Sequence, residues 1–164
     1  MYPTDPSTDF LKEIYRDKGY TLIDYPFYPQ DEIKEEIKSH DRIMLLGHGY
    51  PGGLFGFYDT LIDSRYVDLL KEKICICIWC NADVFVKKYG LKGFYTGMFI
   101  SEVSEAEMFN IEVSQEKIEY SNNLFSSLVR KQIDSENVLN EVKSSYIGDC
   151  PVIKYNNERL YYQK

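Results

Sequence analysis

The chain has 164 residues, of which 44% are hydrophobic and 27% are charged. This length and balance predict one compact domain with a buried core and exclude a mostly disordered chain. The formal charge of −7, from 26 acidic and 19 basic residues, would repel phosphate backbones and anionic lipid. We therefore expect neither nucleic acid nor a membrane as the partner.

The four cysteines predict reduced thiols. Three of them crowd between Cys75 and Cys80, whereas Cys150 lies far away, which is not the spacing of a disulfide framework. No apolar run approaches the roughly 20 residues that cross a bilayer, and the first residues lack the basic and apolar regions of a secretory leader. These features favour a cytoplasmic protein.

Helices and strands alternate through the first two thirds of the sequence. Apolar spacing predicts, in chain order, a helix over 7–20, a strand over 21–25, a helix over 30–39, a strand over 43–46 and a small strand or hairpin arm over 54–58. It then predicts a helix over 63–73, a strand over 74–80, a helix over 82–89 with Asn81 and Gly90 at its ends, a strand over 93–100 and a short helix from Ser101. The strands over 43–46 and 74–80 are continuously apolar, which is typical of burial on both faces. This order predicts an α/β fold in which a mostly parallel sheet carries helices on both faces.

The last fifty residues predict additions to this sheet. They contain a long amphipathic helix over 114–133, a shorter helix with Val138 and Val142, and two strands around an Asn-rich turn within 152–162. We expect a single domain over 1–164, with a core at about 21–110 followed by C-terminal helices and a hairpin over 114–164.

Two chemically active side chains directly follow the most apolar strands. His48 comes after the strand over 43–46, and Cys80 ends the strand over 74–80. Because neighbouring parallel strands lie about 4.8 Å apart and end at one edge of the sheet, we expect both side chains on one rim. A nearby imidazole and the helix beginning at Asn81 would both favour the thiolate. The pattern predicts acyl transfer, with Cys80 as nucleophile and His48 as the base and later the acid.

Other residues near this pair complete a candidate site. Gly49 has no side chain to shield its N–H, which together with the N–H of Cys80 would form an oxyanion hole. Asp83, Glu102 and Glu105 lie close to Cys80 in sequence and are the candidates for a substrate pocket. This chemistry needs no metal and no organic cofactor.

At these residues the sequence resembles the caspase, gingipain and CHAT group of cysteine peptidases. That family places a His-Gly after one strand and its nucleophilic cysteine at the end of the next, as in Leu45-Leu46-Gly47-His48-Gly49 and Ile76-Cys77-Ile78-Trp79-Cys80. The stretch over 90–101 looks like the strand that follows the cysteine in CHAT-type members, so the resemblance covers about 42–109. It implies a caspase-like three-layer sandwich and thiol-dependent cleavage of peptide or protein substrates by a His48–Cys80 dyad.

The sequence also departs from the family at two points. Trp79 stands where the family usually has a small residue, and the interval between His48 and Cys80 is short. An inactive relative that keeps the fold therefore stays open. The alternative function is a non-catalytic protein-interaction module on the same α/β scaffold, with the helix over 114–133 and the Tyr-rich end as its partner surface.

Three simpler interpretations apply to individual residues. The glycines of Gly47-x-Gly49-x-x-Gly52 match a dinucleotide fingerprint, but Pro51 and the further glycines disfavour the helix that this fingerprint requires. Cys75 and Cys77 are expected inside a buried strand and so as core residues rather than zinc ligands. His40 is expected to be a solvated residue at the end of a charged helix.

Overall fold

A computed structural model describes the protein over residues 6–24 and 28–164. In chain order its strands are β1 (Arg42–Leu46), β2 (Gly49–Tyr50), β3 (Gly53–Phe55), β4 (Thr60–Ile62), β5 (Ile74–Ile78), β6 (Lys92–Thr96) and β7 (Leu160–Gln163). Its helices are α1 (Lys12–Tyr15), α2 (Gln30–Ser39), α3 (Val67–Leu70), α4 (Ala82–Tyr89), α5 (Val103–Met108), α6 (Gln115–Gln132), α7 (Val138–Ser145) and α8 (Pro151–Asn157). Short 3₁₀ turns, Pro6–Leu11 and Ser64–Tyr66, precede α1 and α3.

A four-stranded sheet with the order β1-β5-β6-β7 forms the centre of the fold. β1, β5 and β6 are parallel, and β7 pairs antiparallel with β6. β5 lies in the middle, as its alternating β-branched residues predict, and is buried from Cys75 onward. β1 pairs with β5 from Arg42 opposite Ile74 to Leu46 opposite Ile78, so the two strands end side by side. The prediction of parallel neighbours is confirmed.

Helices pack on both faces of this sheet and produce three layers. On one face, Ile76 and Phe94 of the sheet share a hydrophobic core with Phe125 of α6. On the other face, Cys75 and Cys77 share a core with residues of α2, α3 and α4, because successive side chains of a strand point to opposite faces. The predicted α/β class with a mostly parallel sheet is confirmed. In the described part of the chain, no helix has both the length and the apolar composition needed to cross a membrane.

A small antiparallel sheet, β2-β3-β4, follows directly after β1. The turn between β2 and β3 contains Pro51 and Gly52. The glycine-rich segment therefore enters a hairpin and not a helix, which removes the structural context of a dinucleotide site.

The N-terminal expectations are partly wrong. The helix expected over 7–20 is a 3₁₀ turn followed by α1, and it ends at Tyr15 because Arg16 leaves the helical region at φ −53° and ψ 131°. Of the strand expected over 21–25, residues 21–24 are irregular, and Tyr25 lies outside the described residues. Among the described strands, β1 lies at the edge of the sheet, and Ile43 and Met44 are half-buried instead of fully buried.

Three other predicted elements are shorter than expected. The helix over 63–73 is reduced to a 3₁₀ turn and α3, and Asp63 begins it by accepting a hydrogen bond from the Arg65 N–H. The small strand over 54–58 is β3, which ends at Phe55. β6 ends at Thr96, where the sequence predicted a strand to residue 100.

The C-terminal hairpin expected within 152–162 is wrong. Pro151 occupies the first turn of α8, where proline is favoured, and only β7 of the two predicted strands forms. The two asparagines do not make a turn. Asn156 accepts a hydrogen bond from the Ile100 N–H (2.8 Å) and donates one to the Ile100 carbonyl (2.9 Å). Asn157 donates to the carbonyls of two residues at the end of α7.

Candidate functional site

His48 and Cys80 occupy equivalent positions beyond the two central parallel strands. The last paired residues are Leu46 and Ile78, and the Gly47 N–H extends the pairing by donating to the Ile78 carbonyl at 3.1 Å. His48 and Cys80 each lie two residues past the last pair. The fold therefore brings both residues to the same carboxyl edge of the sheet, which we call the rim.

Trp79 connects the rim to the hairpin. Its indole N–H donates to the Tyr50 carbonyl at 3.2 Å, and its ring packs against Gly49 so closely that a Cβ there would lie 2.2 Å from Trp79 Cδ1. The neighbouring Phe55 N–H donates to the His48 carbonyl at 2.8 Å. Gly49, which follows His48, and Trp79, which precedes Cys80, therefore pack directly against each other.

The backbone N–H and C=O groups of Gly49 point away from β3. Because Phe55 donates to His48, the adjacent pair Gly49–Leu54 is one that exchanges no ladder hydrogen bonds. The Gly49 N–H accordingly points away from the partner strand. This orientation is compatible with an oxyanion hole, and the assignment of Gly49 and Cys80 to it stays a prediction.

His48 is half-buried and contacts the N-terminal segment. Its Nε2 is hydrogen bonded to Ser7 Oγ at 2.8 Å. Such a bond fixes the plane of the imidazole and links its tautomer to the orientation of the hydroxyl. Forty-one positions separate the two residues, and sequence patterns carry no signal for so distant a contact.

Cys80 lies in an environment that favours the protonated thiol. The thiol donates toward the Phe99 carbonyl (3.5 Å) and the Glu105 carboxylate (3.8 Å). Burial, followed by the negative charge of Glu105, raises the pKa of Cys80 to about 12. The expectation of a lowered pKa is therefore wrong for this arrangement, because burial and the Glu105 carboxylate both disfavour the thiolate.

Of the three acidic candidates, Glu105 contacts Cys80. Its carboxylate also accepts from the Ser101 N–H (2.7 Å) and the Ser101 hydroxyl (3.1 Å). Glu102 forms a capping box with Glu105 at the start of α5, and Asp83 is paired with Lys87 at 3.0 Å on α4. Glu105 is thus held rigidly, with one oxygen directed at the sulfur.

The other three cysteines lie in the core. Cys75 and Cys77 are fully buried in β5, and burial together with the neighbouring Cys75 raises the pKa of Cys77 well above its ordinary value. Cys150 is buried at the start of α8. Across residues 6–24 and 28–164, no three His, Cys, Asp or Glu side chains are grouped as metal ligands would be.

The surface expected for an interaction module is largely occupied. The apolar side of α6, including Phe125 and Val129, is fully buried in the domain. On α6 only the aromatic side chain of Tyr120 is exposed, at 57%, whereas several exposed aromatic side chains lie on and next to the hairpin, where Tyr50 stacks on Phe55 at 5.1 Å and Tyr58 is 74% exposed. Sequence analysis missed this cluster, although aromatic residues spaced among glycines could have indicated it.

Comparisons with protein-family models, with curated proteins and with solved structures found no match to this chain.

Proposed function

We propose that the rim is the acyl-transfer site of a caspase-like cysteine peptidase domain, with Cys80 as nucleophile and His48 as proton acceptor. The observation that carries this proposal is the register of β1 and β5, which gives both residues the same position past the last strand pair. The three-layer arrangement and the residue order His-Gly then Cys are compatible with it. The proposed substrate is a peptide or protein.

The reaction begins from a protonated thiol. The Cys80 proton passes to His48, and the sulfur forms a bond to the carbonyl carbon of the substrate while the oxygen becomes negative near the N–H groups of Gly49 and Cys80. The imidazolium then gives its proton to the leaving amine as the C–N bond breaks. Water, deprotonated by His48, attacks the thioester and releases the acid and the thiol.

The raised pKa of Cys80 makes the described arrangement a resting state. Near neutral pH, a thiol with a pKa of about 12 is almost entirely protonated, so the sulfur must leave the Glu105 contact before it reacts. We propose that a substrate entering the rim displaces this contact. Activity in the absence of such displacement should be low and should rise with pH.

A second candidate is the non-catalytic interaction module. Two features favour it: the raised pKa of Cys80, caused first by burial, and the exposed aromatic cluster around Tyr50 and Phe55. Aromatic side chains are enriched in protein interfaces, and this cluster begins at Tyr50, two residues after His48. In this case the hairpin, and not α6, would provide the partner surface.

Iodoacetamide labelling with mass spectrometry, measured from pH 6 to 10, separates the two functions. Because Cys80 is the least buried of the four cysteines, it should label first in either case. For the peptidase we expect His48→Ala to slow the labelling of Cys80 and the matched control His40→Ala to leave it unchanged. Glu105→Gln keeps an acceptor without the charge, and each unit by which the pKa falls raises the thiolate fraction about tenfold near neutral pH. Labelling of Cys80 at the same slow rate in the wild type and in His48→Ala would favour the module.

A further inference from the structure

Within residues 6–24 and 28–164, no strand pairs with one side of the β1 backbone. On the paired side, Ile74 N–H donates to the Asp41 carbonyl and Gly47 N–H donates to the Ile78 carbonyl. Since backbone groups of successive strand residues alternate in direction, the odd-numbered residues of this strand face β5. Arg42, Met44 and Leu46 therefore direct their N–H and C=O groups away from the sheet.

A cavity of about 460 Å³ lies along this side of β1. Its walls are mostly apolar and come from three parts of the fold: α2, the hairpin sheet and the segment before α2. They include Ile33, Ile37, Leu54, Ile62, Tyr20 and Ile23. A strand of the length of β1 spans about 17 Å, so the cavity runs beside a strand and is not confined to one side chain.

β1 itself has no proline and no bulge, its only charged residue is Arg42, and the segment over 20–23 and α2 border its outer side. Natural proteins place charges, prolines or bulges on such edges to prevent pairing with other chains. The segment Ile43–Leu46 is entirely apolar, and the charge of Arg42 at its start is directed to Asp134 at 2.5 Å. The edge is thus both apolar and rich in backbone hydrogen-bonding groups.

The charged side chains that line the cavity lie at the end where β1 begins. Glu36 and Asp41 line the end where β1 begins, together with Arg42 and His40. Arg42 and Lys18 share the carboxylate of Asp134, at 2.5 and 3.2 Å, and the chain as a whole carries −7. A basic side chain at this end of a bound molecule would complement the two carboxylates.

We propose that this groove binds an extended peptide segment of a partner protein, which adds to β1 as a fifth strand. Its backbone pairs with Arg42, Met44 and Leu46, its apolar side chains fill the cavity, and a Lys or Arg lies near Asp41 and Glu36. This mode is β-strand addition, in which the main chain gives affinity and alternate side chains give specificity. The proposal is independent of the chemistry at the rim, because neither His48 nor Cys80 takes part.

The test uses the full chain and a fluorescein-labelled hexapeptide of alternating valine and threonine with a lysine at one end, measured by fluorescence anisotropy. We expect saturable binding that weakens about ten- to hundredfold when alternate peptide amides are N-methylated, since two or three hydrogen bonds are lost. Asp41→Asn should weaken binding up to about fivefold, and only for the lysine peptide and not for a norleucine version. Equal binding of the methylated peptide would overturn the proposal.

A substitution in β1 tests the same point from the protein side. Met44→Pro removes an N–H that faces outward, which an edge strand tolerates, so the fold should persist while binding is lost. Circular dichroism checks the fold of this variant. Unchanged affinity of the folded variant, absence of binding to the wild type at 1 mM peptide, or a dimer that Met44→Pro dissociates would each contradict a peptide partner. So would slow amide exchange at Met44 in the free protein, which would mean that the chain covers this edge itself.

Discussion

Asn156 of α8 is hydrogen bonded to Ile100, which lies in the segment that follows β6 and contacts Cys80. Its side chain is 0% exposed, and its amide satisfies both the N–H and the carbonyl of Ile100 at 2.8 and 2.9 Å. Asn156 Nδ2 also lies 3.4 Å from the Tyr146 hydroxyl. Asn156→Ala would leave two buried backbone groups without these partners.

The expected loss of stability follows from these two groups. An unsatisfied buried donor or acceptor costs about 1–3 kcal/mol, so Asn156→Ala should lower the free energy of unfolding by about 2–6 kcal/mol. For a protein of this size, each kcal/mol lowers Tm by about 2–4 °C. The change in Tm should therefore be several degrees at least, and the larger estimate would leave the protein largely unfolded on warming.

Urea denaturation followed by circular dichroism measures this change. The matched control is Asn140→Ala, because Asn140 is exposed on α7 and bonds to Asn137, and its loss should stay within about 0.5 kcal/mol. Since Ile100 follows Phe99, whose carbonyl accepts from Cys80, the folded fraction of Asn156→Ala should also label faster at Cys80. A loss below 1 kcal/mol would refute the reasoning, because water or a backbone shift would then replace the amide.

Two further outcomes follow from packing and burial. Gly49→Ala places a Cβ 2.2 Å from the Trp79 ring and should cost about 1–3 kcal/mol in urea denaturation. Gly52→Ala meets only the movable, exposed ring of Tyr50 and should cost clearly less, so equal effects would argue against the packing described. Burial raises the pKa of Tyr146 from 10.0 to about 12, so the unfolded chain releases this proton first, and stability should fall as the pH rises from 10 towards 12. Tyr146→Phe should reduce that slope in pH-dependent thermal unfolding, and an unchanged slope would contradict the assignment.

Elements whose own sequence contains a strong pattern were predictable. β5 has alternating β-branched residues in the most apolar run, α6 has apolar residues at helical spacing after Ser114, and Gly90 ends α4 in the left-handed conformation. Once β1 and β5 are predicted to be parallel neighbours, it follows that His48 and Cys80 lie at the same edge of the sheet. These are local signals combined with one rule of sheet topology.

The errors arose where distant contacts decide the local structure. Asn156 and Asn157 resemble turn residues in sequence, but they bond to backbone groups of segments that lie 56 and 14 positions away. The pKa of Cys80 depends on its burial and on Glu105, 25 positions later, and the orientation of His48 depends on Ser7. A single sequence contains no periodicity that reports such contacts.

The chain contains one tryptophan, and it is the residue wedged between Gly49 and the end of β5. Nearly all ultraviolet emission of the protein excited at long wavelength should therefore originate at the rim. A shift of that emission to the red, or a change in its quenching by the adjacent thiol, would report movement of the hairpin in real time without any attached dye.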